Sequence, residues 1–194
     1  MTGVKRIFAI LLYCLLLLTA CDNPFHPKLR HLNNPQNQNR TPTELLQNLE
    51  LAYRQKNIDL YKELLSPDFR FELISAEVNQ IGIDFNNDGI KDSFWGYEQE
   101  VEFTDNLFNR GSTDGLYPPP DQIHLRLSIP PQELWEDDPT LGHETWVVIP
   151  CTFELSLLFN TISSSLSASG TARFYLKPQN NRWYIAIWRD ESNL

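Results

Sequence analysis

Apolar residues recur at helical spacing in the first half of the chain and alternate with polar ones in the second. Leu45, Leu46, Leu49, Ala52 and Tyr53 form one stripe, because positions three and four apart stack on one helix face. TPTE, at Thr41 to Glu44, predicts where that helix starts: Thr41 caps it, Pro42 suits the first helical position and Glu44 closes a capping box. A second, short helix is expected from an Asn57 cap through Leu60, Tyr61, Leu64 and Leu65. It ends ahead of Pro67, because the residue before proline is pushed out of the helical region. DFRFELI, Asp68 to Ile74, reads as a strand. A third helix is expected from about Phe94 to Asn109, with Tyr97, Val101, Thr104 and Phe108 on one face. Glu98, Glu100 and Glu102 near its start and Arg110 at its end suit the helix dipole, and Gly111 suits a C-terminal stop.

Beyond that point the period changes to two. Ile123, Leu125, Leu127 and Ile129 alternate with His124, Arg126 and Ser128; Val147, Ile149, Cys151, Phe153, Leu155 and Leu157 alternate with a more polar set. Leu166, Ala168, Gly170, Ala172, Phe174 and Leu176 make a third alternation and RWYIAIWRD, Arg182 to Asp190, a fourth, with Trp183, Ile185 and Ile187 predicted to face the core. Helices followed by an antiparallel sheet make the class α+β. Residues 41–194 are expected to form one domain, of a length that buries roughly 70% of its unfolded surface.

The N-terminus differs from both halves. Lys5 and Arg6 precede twelve apolar residues, Ile7 to Leu18, and then LTAC, Leu18 to Cys21. Such a run is too short to span a bilayer and matches the apolar region of a signal peptide. LTAC resembles the lipobox of bacterial lipoprotein signal peptides, which implies that residues 1–20 are removed and that Cys21 is lipidated as the first mature residue. Asp22 resembles an inner-membrane retention signal of enteric bacteria. Residues 22–40 are rich in Asn, Gln and Pro without apolar periodicity and read as a disordered tether; His26 and His31 fall there. Loss of Lys5 and Arg6 leaves 14 basic against 25 acidic residues, a formal charge of −11. That argues against a nucleic-acid partner, which needs basic clusters against phosphate. Cys14 leaves with the leader and Cys21 is acylated, so Cys151 alone keeps a free thiol and no internal disulfide is expected.

TPTELLQNLELAYRQKNIDLYKELLSPDFRFEL, together with the closing GTARFYLKPQNNRWYIAIWRD, resembles the NTF2-like superfamily, which includes SnoaL-like and ketosteroid-isomerase-like proteins. The resemblance covers most of residues 41–190. It implies a cone: a strongly curved sheet wrapped around about three helices, often with an apolar pocket. The outer sheet face would then carry His124, Arg126, Trp146, Glu154, Arg173, Tyr175 and Trp188, a surface suited to a homodimer. Isomerases and cyclases of the superfamily place an acid or histidine base and a tyrosine in the pocket, but none of their catalytic motifs maps onto this chain residue by residue.

Chemistry-bearing residues are few. GxSxG, HExxH, a glycine-rich phosphate loop and paired CxxC motifs are absent from the sequence. His124 alternates with core positions and is expected to face outward; His143 lies in an acidic loop. Asp59 and Asp190 are candidate pocket carboxylates, although a helix start explains the first and an arginine neighbour the second. Glu133, Glu136, Asp137 and Asp138 surround Trp135 and read as a solvated loop or a cation site. Cys151, on an apolar strand face, reads as packing. The most specific local motif is DFNNDGIKD, Asp84 to Asp92. Asp84, Asn86, Asp88, the Ile90 carbonyl and Asp92 fall at positions 1, 3, 5, 7 and 9 of a calcium loop with Gly89 at 6, but Trp95 stands where the bidentate glutamate belongs. Any calcium site is therefore weak and structural, and the alternative is a turn. Together these features point to a lipid-anchored envelope protein with a binding module; a pocket enzyme and a dimerising structural module are the alternatives.

Overall fold

The computed structural model describes residues 38–85 and 88–192. The leader, Cys21, residues 22–37 of the expected tether and Asn86 lie outside these residues.

Helix α1 (Pro42–Gln55) begins where the capping motif put it: Thr41 Oγ1 accepts the Glu44 N–H at 3.1 Å. The Glu44 carboxylate accepts the Arg40 N–H at 2.8 Å, closing the box one residue before the cap. The folded region reaches back past Thr41, since buried Asn39 accepts from the Asn48 side chain at 2.8 Å and its carbonyl accepts the Trp183 N–H at 2.7 Å. Helix α2 (Ile58–Leu64) is capped by Asn57, and Leu65 already opens strand β1 (Leu65–Leu73). A short helix, α3 (Ser75–Ile81), follows without having been anticipated.

The third predicted helix starts later than its sequence suggests. Phe94–Gly96 is strand β2, paired antiparallel with β1; the aromatic Phe94 and Trp95 favour a pleated surface over the first turn of a helix. Helix α4 therefore begins at Tyr97, runs to Asp105 and continues as a wider π-helical turn, Asn106–Arg110. Gly111 ends it at φ +90°, where a Cβ would lie 2.4 Å from the Tyr117 carbonyl oxygen, so no other residue fits.

Strands β3 (Gln122–Ser128), β4 (Glu136–Asp137), β5 (Val147–Phe159), β6 (Ser164–Gln179) and β7 (Arg182–Asp190) complete one sheet of order β2-β1-β7-β6-β5-β3, with β4 beside β5. It is antiparallel except where β1 runs parallel to β7, which makes it mixed. Ile123, Leu125, Leu127, Ile149, Cys151, Ala172, Phe174, Leu176 and Ile185 form its buried inner face, joined to the apolar stripe of α1 and to α2 and Phe108 in one core. The class is α+β, as the change of period implied.

The closing strand departs from simple alternation. Tyr175 pairs with Ile187 whereas Leu176 pairs with Ile185, which leaves Ala186 as an extra residue. Such a bulge switches which face later residues take. Trp188 consequently points into the core instead of outward, Ile187 leaves the core, and Trp183 is only partly buried against it.

Candidate functional site

Glu100, Thr104 and Phe108 are four residues apart along α4 and its π-turn, so they share one face, and that face is turned inward. Glu100 is 6% exposed, Thr104 3% and Phe108 0%. One Glu100 oxygen accepts the Tyr61 hydroxyl at 2.6 Å and the Thr104 hydroxyl at 3.2 Å; the other accepts the Trp95 indole N–H at 2.7 Å. Tyr53, Tyr61 and Phe108 surround the group edge to face, with centroids 5.2–6.2 Å apart. Trp95 stacks on Phe71 at 4.3 Å. Burial pushes the Glu100 carboxyl above the usual range, and its three donors only partly offset that. Burial, and then the Glu100 charge, likewise push up the hydroxyls of Tyr61 and Tyr53. The arrangement is a buried acid between tyrosines with both oxygens engaged and almost no exposure. Sequence spacing contained the clue, because Glu100 lies on the same helical face as Thr104 and Phe108, not on the polar one.

A groove of about 410 Å³ lies where the π-turn, residues 111–120 and the β5–β6 hairpin meet. Phe103, Leu107, Tyr117, Leu157, Phe159 and Leu166 line it, with Asn106, Ser112 and Thr113 as the principal polar contributors. Tyr117 and Leu166 are 41% and 42% exposed at its edge. Apolar residues in strand alternation carried no hint that Leu166 would end beyond the core or that Leu157, at the core's edge, would line a groove.

The remaining sequence candidates are dispersed. His124 faces outward, as expected. Asp59 is exposed, 3.8 Å from Lys62. Asp190 takes the N–H and hydroxyl of Ser192, not an arginine. The acidic loop is not uniformly solvated: Glu136 pairs with Arg173, and Asp138 is buried with an oxygen 2.7 Å from His143 Nδ1. Cys151 is buried, and burial followed by the nearby Glu50 charge pushes its thiol up to about 12, which makes it inert. In the Asp84–Asp92 loop, Asp84 accepts the N–H groups of Asp88 at 3.1 Å and Gly89 at 2.8 Å, Asp88 accepts that of Ile90 at 2.8 Å, and Asp92 accepts that of Phe85 at 3.1 Å. These bonds, with Gly89 at φ +85°, close the turn on its own carboxylates. Among the described residues no set of three or more His, Cys, Asp or Glu side chains is placed to hold a metal.

No family model matches the chain, and no curated protein matches it. Solved structures do. A candidate scytalone dehydratase from Novosphingobium aromaticivorans superposes with a TM-score of 0.53 over 78% of this chain and 81% of its own, at 5% identity. A conserved protein from Planctomyces limnophilus gives 0.53 over 76% and 89%, at 10% identity. The fold is NTF2-like. A candidate aromatic ring hydroxylase, also from N. aromaticivorans, gives 0.51 over 82% and 92%, at 13% identity. At such identities the NTF2-like frame is shared and the chemistry is not thereby carried across.

Proposed function

We propose that this chain is a lipid-anchored cell-envelope protein whose NTF2-like domain is a binding module for a small apolar molecule. The groove beside the π-turn carries this reading. Its volume of about 410 Å³ falls within the usual range for ligand sites, and its aromatic and aliphatic lining with few polar groups matches their chemistry. An isomerase or cyclase reading would rest on Glu100 beside Tyr61, and it requires a path to a carboxyl that is 6% exposed with both oxygens engaged. The test is titration of the full chain with the neutral dye N-phenyl-1-naphthylamine, followed by fluorescence. Leu166→Asp and Tyr117→Ser are expected to weaken dye binding about ten-fold each, since each removes apolar area worth about 1–2 kcal/mol, and to leave the melting temperature nearly unchanged. Equal binding by parent and both variants counts against the groove.

The anchor rests on LTAC after the apolar run. Metabolic labelling with a fatty acid is expected to mark the parent and not Cys21→Ser; label retained in the variant removes the anchor.

The Asp84–Asp92 loop is proposed as a weak calcium site on the strength of its ligand spacing. With a Kd of about 1 mM, about 10 mM calcium adds about 1.4 kcal/mol, or roughly 3–6 °C in melting temperature. Asp88→Ala is expected to lose that shift, and magnesium to reproduce little of it. An equal response to both ions would make the loop a turn and nothing more.

A further inference from the structure

The outer face of the sheet carries a second cleft, separate from the groove. Asp68 and Arg70 of β1 and Ala186 and Ile187 of β7 lie along it, and Arg70 stands beside Ile187 in the parallel register. His143 and Trp146, from the segment leading into β5, complete it around about 250 Å³. We propose that this cleft binds a small organic carboxylate, with the acid group on Arg70 and the carbon skeleton over Ala186 and Ile187, against the wall made by His143 and Trp146.

Charge pairing selects Arg70. Asp68 is matched by Lys177, and Asp138 by His143 and the Thr140 N–H. Arg70 lies over the Phe94 ring at 5.1 Å and has no carboxylate partner among the described residues. A guanidinium fork fits a carboxylate through two parallel hydrogen bonds. His143 is held in one orientation: Asp138 takes Nδ1, and the ring lies flat on Trp146 at 3.6 Å and 5°. The stacked pair is therefore a fixed wall of the cleft. Burial works to raise the Asp138 pKa, but the hydrogen bonds from the Thr140 N–H, His143 and the Thr140 hydroxyl more than offset this and lower it, which favours the carboxylate that holds His143. Bulged Ala186 is 1% exposed and Ile187 is half-buried, so the floor is apolar. The volume lies below that of a drug-sized site, which limits the ligand to about one ring or a short chain.

Calorimetric titration of the full chain with benzoate tests this, with methyl benzoate as its uncharged counterpart. Benzoate is expected to bind. Methyl benzoate, Arg70→Gln and Arg70→Lys are each expected to weaken binding about ten-fold or more, because a charge-assisted, two-pronged contact is lost. His143→Gln is expected to weaken it less, and Leu166→Asp, in the groove, not at all. Arg70 is exposed, so its variants should melt with the parent. Absence of benzoate binding, equal affinity for the ester, or unchanged affinity in Arg70→Gln overturns the proposal. Loss of benzoate binding in Leu166→Asp overturns it too, by assigning the ligand to the groove.

Discussion

Two carboxyls lie almost equally hidden on opposite faces of the sheet, Glu100 at 6% exposure within the core and Asp138 at 7% on the outside, and their acidities are driven in opposite directions. Glu100 sits among Tyr61, Thr104, Trp95 and the ring of Phe108, where its donors are neutral and the surroundings apolar. Asp138 lies in a surface segment and takes a backbone N–H and an imidazole N–H. Burial alone therefore does not decide the state of an acid; the depth of apolar cover and the kind of donor do. The core raises the pKa of the acid that ties its helix to Tyr61, whereas the outer face lowers that of the acid that orients a histidine.

The largest effect should come from emptying the inner region. Phe108→Ala removes a fully buried ring packed against Tyr53 and Tyr61 and is expected to cost about 3–5 kcal/mol in urea unfolding. A loss below about 1 kcal/mol would mean that the inner region is loosely packed and that the comparison fails at its start.

The two acids should next separate by pH. For Glu100 the folded pKa is raised, so its contribution is full below the unfolded value of about 4.3 and is lost as pH rises through the folded value. For Asp138 the folded pKa is lowered, so its contribution is present above about 3.9 and is lost as pH falls through the folded value. Glu100→Gln is expected to flatten the decline of stability towards neutral pH, and Asp138→Asn to flatten the decline in acid. Urea unfolding at a series of pH values checks both, and slopes that change in the same direction would break the contrast.

The smallest effect belongs to the outer ion pairs. Arg173 meets Glu136 and Glu191 with all three side chains partly exposed, and Arg173→Gln should cost less than about 1 kcal/mol, as solvent-screened pairs do. A larger loss, measured in the same way, would give the outer face a structural weight like that of the core.

Much of this frame was legible because it depends on local rules. Thr41, Pro42 and Glu44 announced the first helix, and Ile123, Leu125 and Leu127 announced a half-buried strand through period two. The misses have equally specific causes. Phe94 and Trp95 precede a helical pattern, yet a partner strand distant in sequence claims them. The Ala186 bulge moved Trp188 to the core, and no alternation along one strand reveals an inserted residue. Glu100 was read as a dipole partner because Glu98 and Glu102 flank it, although its spacing to Thr104 and Phe108 placed it on the apolar face. The Arg70 cleft joins three segments, so it exists only after folding, and the Asp138–His143 contact, though local, depends on how its loop closes. Cys21 and Asn86 lie outside the described residues, and for them the sequence is the whole argument.

Strand β1 is followed in the sheet by β7, the last strand of the chain, and the two run parallel, with Glu72 bonded to Arg189 across 117 positions. The sheet interior therefore has a gap until the final residues join it. Closing so long a loop must be met from chain entropy before any pairing rewards it, which favours slow, late-committing folding. A polypeptide emerging from the ribosome could form its helices and the β5–β6 hairpin early, but could not lock the half-barrel until Asp190 had been synthesised. Loss of the last dozen residues would then leave two unjoined halves, not a shortened domain.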